Sequence, residues 1–153
     1  MDMTNRISEN KYVIFSLSGE YYGIDIKNVD VIEKVTKFTR VPNAAEYVKG
    51  VINLRGEVVP VVDLAKRFGI KTKDIDSESR IIIVSISDMQ VGMIVDSSSE
   101  VIQLEKTDID NPPDIGEKVS EDFIKGIGKK DGRLIILLNL KKVLKIENID
   151  EES

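Results

Sequence analysis

Tyr47-Val48-Lys49-Gly50-Val51 is restated as Phe123-Ile124-Lys125-Gly126-Ile127, and the reading of these two stretches decides the fold. At the same shift of 76 residues (47 to 123), Gly56 answers Gly132, and Val58-Val59-Pro60-Val61-Val62-Asp63-Leu64 answers Leu134-Ile135-Ile136-Leu137-Leu138-Asn139-Leu140. Upstream the shift falls to 69 (12 to 81): Tyr12-Val13-Ile14-Phe15-Ser16-Leu17-Ser18 answers Ile81-Ile82-Ile83-Val84-Ser85-Ile86-Ser87, and Gly23 answers Gly92. Strands rich in Val and Ile resemble one another by chance. A shared Lys-Gly, shared turn glycines and a shared order of elements are a stricter match, and they indicate an internal duplication. The copies then act as controls for each other. What both keep belongs to the fold, and what one alone carries is a candidate for function.

Outward from these stretches, short β-branched segments are broken by turn residues at roughly ten-residue spacing. They predict strands near 11–18, 21–26, 30–39, 48–54 and 57–62, then near 80–87, 90–95, 100–104, 124–129 and 133–138. Such spacing argues for barrels or sandwiches rather than βαβ units. The chain divides into a flexible tail (1–10), a first β subdomain (11–72), a polar connection (73–79), a second β subdomain with a C-terminal helix (80–147) and an acidic tail (148–153). Asp63 and Asn139 each follow an apolar strand and precede a short helical stretch, where a side-chain oxygen accepts from a free helix-start N–H. Pro60 stands where the second copy has Ile136; lacking an N–H, it predicts an edge strand or a bulge. The looser segment 104–122 is expected to wrap the surface, matching the shorter connection 39–46 of the first copy.

Composition narrows the chemistry. Among 153 residues there is no Cys and no His, which excludes disulfides, thiolate nucleophiles, imidazole bases and the usual zinc ligand sets. Hydrophobic residues at 41% and charged residues at 32% are ordinary for a soluble globular domain. The formal net charge is −5 and no basic stripe stands out, so phosphate neutralisation on nucleic acid is not expected. No apolar run is long enough to span a bilayer, and residues 1–10 lack the apolar core of a signal peptide, so a cytoplasmic location is expected.

An enzyme reading would have to use carboxylates. A duplicated β protein could supply one from each copy to a shared dyad, as aspartic hydrolases do. Asp96-Ser97-Ser98 is the nearest candidate, but its counterpart is Lys27 and neither copy carries the glycine such a motif needs. At the strand end the pair is Asp63 and Asn139, again one carboxylate. Lys49-Gly50 and Lys125-Gly126 lack the further glycines and the Ser/Thr of a phosphate loop. The remaining enzyme reading, a carboxylate-dependent hydrolase, would draw on Asp25, Asp63 or Asp96. No metal or cofactor is expected.

The copies differ at two places. Asn53-Leu54-Arg55-Gly56 holds the same turn as Lys129-Lys130-Asp131-Gly132, and Asp-Gly suits a tight hairpin better than Arg-Gly does. Arg55 is thus either a solvated loop residue or a guanidinium fork aimed at a carboxylate, a role Lys fills poorly. Val29-Asp30-Val31-Ile32 faces Ser98-Ser99-Glu100-Val101, so the first copy has an additional apolar residue, Val29. It either fills its own core or belongs to an apolar surface that a partner covers.

The run Gly50-Val51-Ile52-Asn53-Leu54-Arg55-Gly56-Glu57-Val58-Val59-Pro60-Val61-Val62-Asp63-Leu64 resembles the signature of the bacterial chemotaxis coupling family CheW. Glu20-Tyr21-Tyr22-Gly23-Ile24-Asp25-Ile26 and Val91-Gly92-Met93-Ile94-Val95-Asp96 extend the likeness over nearly all of residues 11–145. The resemblance implies a mainly β fold of two pseudo-symmetric, five-stranded, SH3-like barrels that share a core, with short helices. It implies no catalysis, and an adaptor that links the cytoplasmic tips of methyl-accepting receptors to the regulatory domain of the histidine kinase CheA. Such an adaptor is recruited to receptor arrays without inserting into the membrane itself. Carried onto this chain, the receptor groove falls near Val29, Ile32 and Glu33, with Arg55 beside it and Val91 and Val95 from the second subdomain. The kinase contact is not located by the resemblance; the edge strand suggested by Pro60 is one candidate. A rival reading makes the chain a CheW-like module of a larger kinase or of a receiver-fused coupler.

Overall fold

In the computed structural model, residues 10–112 and 123–144 are described. β1 (Lys11–Leu17) and β2 (Glu20–Asp25) form a hairpin, and a 3-10 turn at Ile26–Asn28 leads into β3 (Val29–Lys34). β4 (Val48–Leu54) and β5 (Glu57–Asp63) form a second hairpin, followed by α1 (Leu64–Phe68). The second copy repeats this order. β6 (Arg80–Ile86), β7 (Met89–Val95) and β8 (Ser97–Gln103) are followed by the short β9 (Ile109–Asp110), then β10 (Ile124–Lys130), β11 (Arg133–Leu138) and α2 (Leu140–Leu144).

The two sheets do not divide at the boundary drawn between 11–72 and 80–147. One sheet runs β8-β1-β2-β11-β10-β9 and the other β3-β6-β7-β5-β4. Each half of the chain lends its first hairpin to the other half's sheet. When every strand is replaced by its counterpart, the second order becomes the first as far as β10, and β9 stands where the first copy has the single bridge between Thr39 and Val51. The duplication is therefore written in the hydrogen-bond register. Val61 pairs in parallel with Gly92, as Leu137 pairs with Gly23. The register slips between Val29 and Val31 opposite β6, and at the matching place where β8 meets Ile14 and Phe15 of β1.

The shared Lys-Gly has a steric cause. In both copies the ladder skips this lysine, between Val48 and Gly50 and between Ile124 and Gly126. A Cβ on Gly50 would lie 2.1 Å from the Thr39 carbonyl oxygen, and one on Gly126 would lie 2.9 Å from Ile109 Cγ2. Only glycine lets the neighbouring segment approach there. On the first copy that segment is Thr39, which exchanges two 2.8 Å backbone hydrogen bonds with Val51; on the second it is β9. This contact curls each sheet toward a barrel. It also explains why β3 stops at Lys34 and not at residue 39: Val35 and Phe38 turn into the barrel core.

The interior strands β1, β6 and β7 are buried on both faces, so they are nearly continuous apolar runs and not alternations. Val13, Phe15 and Leu17 of β1 meet Ile82, Val84 and Ile86 of β6 in a core common to both sheets. Ile81 and Ile83 turn instead into one barrel, Tyr12 and Ile14 into the other. The two barrels thus share a core, with short helices at its margin, as the resemblance implies. All four two-residue hairpins have positive φ at both central residues, as at Arg55 (53°) and Gly56 (87°). This is the turn whose twist matches paired strands.

Asp63 caps α1 by accepting from Lys66 N (3.2 Å), and Asn139 accepts from Lys142 N (3.4 Å). The expectation at Pro60 fails, because β5 lies between β7 and β4 and the slip falls at Lys49. The proline is tolerated for another reason. Val51, opposite it, gives both backbone groups to Thr39, and the ladder to β7 begins only at Val61. The N–H that proline lacks therefore has no assigned partner. Arg67 of α1 reaches across to α2, where its Nε donates to the Val143 carbonyl at 2.7 Å. Its guanidinium lies 5.0 Å from the Tyr47 ring centre and 4.8 Å from that of Phe123. The residues 1–9, 113–122 and 145–153, where a flexible tail, part of a surface-wrapping segment and an acidic tail were expected, lie outside the described residues.

Candidate functional site

β3 forms one edge of the five-stranded sheet. The slip in its pairing brings Val29 inward, half-buried against the shared core, while Ile32 remains 38% exposed and Glu33 points to solvent. Arg55 is exposed at the tip of the β4–β5 hairpin. Because β5 runs parallel to β7, this tip lies at the same end of the sheet as the β6–β7 turn, where β3 begins. Val29, Ile32, Glu33 and Arg55 are thus borne by one edge and one end of a single barrel.

Val91 and Val95 do not join them. Both are 1% exposed and pack in the shared core, because β7 is an interior strand whose odd-numbered residues face the other sheet. They support the site from beneath and cannot line a groove open to a partner.

Asp30 stands between Val29 and Val31 on this edge. It is the residue skipped in the β3–β6 ladder. Its Oδ2 accepts from Ser85 Oγ of β6 and from Gln90 Nε2 of β7 (2.8 Å). These two donors, with the nearby charge of Arg55, hold its carboxyl below the ordinary carboxylate value. In the aligned copies Asp30 corresponds to Ser99, so this carboxylate belongs to the first copy alone.

The opposite barrel has a different end. Arg133 forks onto Glu100 through two hydrogen bonds (2.8 and 3.1 Å) and covers the Tyr21 ring at 4.9 Å. Val101 and Leu134 are exposed, at 50% and 65%. The counterparts of Arg133, Glu100 and Tyr21 are Glu57, Val31 and Gln90, so this cluster too belongs to one copy alone.

The carboxylates considered for hydrolysis have structural duties. Asp25 accepts from Lys27 N (2.9 Å) at the start of a 3-10 turn, and Asp63 caps α1. Asp96 accepts from Ser18 N (2.8 Å) across the two sheets. Among the described residues no cluster of three or more acidic side chains could hold a metal ion, and no helix is long and apolar enough to cross a membrane.

A duplicated pair of small β-barrels with exchanged hairpins, carrying unlike surfaces on its two ends, defines the structural class. Comparison with known proteins makes the class specific: residues 11–148 match the CheW-like domain. The chain is 39% identical over 143 residues to the chemotaxis protein CheW of Bacillus subtilis, covering 94% of this chain and 88% of that one. It is 36% identical over 137 residues to CheW of Helicobacter pylori, covering 88% and 81%. Its fold superposes on the crystal structure of the scaffolding protein TtCheW from Thermoanaerobacter tengcongensis with a TM-score of 0.80. That match has 42% identity and covers 85% of this chain and 88% of that one. The chain belongs to the CheW-like family of chemotaxis proteins.

Proposed function

We propose that this chain is a non-catalytic adaptor that couples methyl-accepting receptors to the histidine kinase CheA. The receptor's helical tip would meet the edge formed by Val29, Ile32, Glu33 and Arg55. One observation carries the reading: Ile32 presents apolar surface on an edge strand of the same barrel whose end carries the exposed Arg55, which the second copy replaces with Asp131. A helix offers apolar anchors at helical spacing, and a Val/Ile edge takes them with little polar desolvation. A site this small is weak by itself and gains strength when many copies sit in one array. The engaged carboxylates of Asp25, Asp63 and Asp96 support the absence of catalysis.

Amide chemical-shift titration of the labelled protein, first with the CheA regulatory domain and then with a receptor cytoplasmic fragment, tests the proposal. Two separate sets of shifts are expected, the receptor set centred on Val29–Glu33 and Arg55. Absence of shifts with either partner at high concentration would remove it. Ile32→Asp is the clean companion variant, because Ile32 is exposed whereas Val29 also packs on the core. It should abolish the receptor shifts, spare those from the kinase and leave the fold intact.

A further inference from the structure

Beyond α1 the chain folds back over the seam between its two halves. Gly69 closes the helix with a left-handed φ of 74°, and Ile70 donates to the Ala65 carbonyl (3.0 Å) and packs on the shared core. Thr72 and Lys73 then lie in a cleft lined by Leu17, Asp63, Ala65 and Asp96, so residues 69–79 strap the first half to the end of β7. Lys71 joins Lys73 beside Asp96 in the adjoining hollow.

At the shift of 76 the counterpart of 69–77 is 145–153, and there the charges are exchanged. Ile70 becomes Ile146, which keeps the apolar anchor, while Lys71 becomes Glu147 and is followed by Asp150, Glu151 and Glu152. The cleft changes sign with it: Asp63, Ala65 and Asp96 become Asn139, Lys141 and Lys27, and Lys49 stays basic as Lys125. The structure joins the elements that carry these lysines. Asn139 N donates to the Phe123 carbonyl (2.8 Å), which sets the start of α2 beside the strand that bears Lys125. Lys125 Nζ stands 5.7 Å from the Tyr12 ring centre, and Tyr12 pairs with Asp25, two residues before Lys27. All three lysines are exposed and, among the described residues, none is in an ion pair. Asp25 and Asp88 replace Ile94 and Gly19 on this side; Asp25 is engaged by the Lys27 amide (2.9 Å), and Asp88 is exposed at the β6–β7 turn.

We propose that residues 145–153 dock on the second half as the strap docks on the first, with the acids of 147–152 held by Lys27, Lys125 and Lys141. Single exposed ion pairs are weak, but the short tether from Leu144 keeps these acids at high effective concentration. Lys27 stands two residues before Val29, so the docked segment borders the β3 edge and closes the lysines to other acidic segments. The inference does not depend on what binds that edge.

The chain has no cysteine, so a nitroxide on Ser153→Cys is a single paramagnetic probe on the full-length protein. Ser153 answers Ser77, next to Glu78 in the hollow beside Asp96 and Ser18. Amide signals of Lys27 and Ser87, the counterparts of Asp96 and Ser18, should therefore broaden most. The broadening should be lost in about 1 M salt, where the screening length is about 3 Å. Glu147→Gln, Asp150→Asn, Glu151→Gln and Glu152→Gln together should abolish it, as should Lys27→Glu with Lys141→Glu, while the other signals keep their positions. Broadening spread evenly over the surface, or centred on the other basic hollow at Arg40, Lys49 and Lys66, would overturn the proposal. So would broadening at Lys27 that survives neutralisation of the four acids. In a mixture of spin-labelled chains and isotope-labelled chains without the nitroxide, the observed signals should stay sharp. Broadening there would assign the contact to a second copy and defeat docking within one chain.

Discussion

Arg55 and Asp131 occupy the same turn with nearly the same backbone, φ 53° and 52°, and differ only in what they present to solvent. Backbone need does not select the arginine, since Asp-Gly serves the turn better. Arg55→Ala is therefore expected to weaken receptor-dependent control of the kinase while leaving the melting temperature nearly unchanged; a drop of many degrees would mark the residue as structural. Glu100 contributes in another way. The hydrogen bonds from Arg133 lower its folded pKa below the ordinary 4.5. The pair's contribution is then full above that ordinary value and is lost as pH falls through the lowered folded value. Because both side chains are partly exposed, it amounts to less than about 1 kcal/mol. Chemical denaturation of Glu100→Gln between pH 7 and pH 2 should show a correspondingly flatter acid limb than the parent. The sequence made Arg55 and Val29 visible because one copy could be read against the other. Val91 and Val95 could not be judged that way: burial depends on which sheet lies over β7, and no spacing within the chain states that.

Strands and helix starts were legible to within a few residues, for reasons the structure makes plain. Two buried faces demand unbroken Val/Ile runs, positive-φ hairpins demand small or polar turn residues, and Asp63 and Asn139 mark helix starts wherever the helix packs. Pro60 was misread because its tolerance depends on Thr39 claiming both backbone groups of Val51. That contact joins segments whose proximity no local pattern announces. The Lys-Gly pairs offer the sharpest test at this scale. Gly50→Ala sets a Cβ 2.1 Å from a carbonyl oxygen and must open the barrel seam. It should cost about 3 kcal/mol or more, at the upper end of single substitutions. Gly56→Ala meets no atom within 4 Å and bears only the left-handed backbone, a cost of about 1–2 kcal/mol. Denaturation midpoints in that order would support the steric account, and equal losses would contradict it.

The exchange of first hairpins fixes the behaviour of the whole molecule. A fragment of residues 1–72 contains β3, β4 and β5 but lacks the β6–β7 hairpin that fills their sheet, and residues 73–153 lack β1–β2. Neither piece should give dispersed amide spectra alone, whereas an equimolar mixture should assemble and recover the native spectrum. A folded single fragment would show that a barrel can close without its borrowed hairpin. The interleaving was hidden from sequence because a duplication reveals which strands correspond and not which of them pair.

The same exchange bears on ancestry through Arg67. An unfused ancestor of one copy would have closed its barrels as a homodimer, with both partners contributing the residue now found at 67 and 143. Arg67 sits between Tyr47 and Phe123 and bonds the carbonyl of Val143, which is its own counterpart. Under true twofold symmetry a second guanidinium would have to enter the same aromatic slot, one cation against another. A chain carrying both copies in tandem can place an arginine on one side of that axis and a valine on the other. Joining the halves thus freed each from having to match its twin, which allowed the two ends of the molecule to diverge.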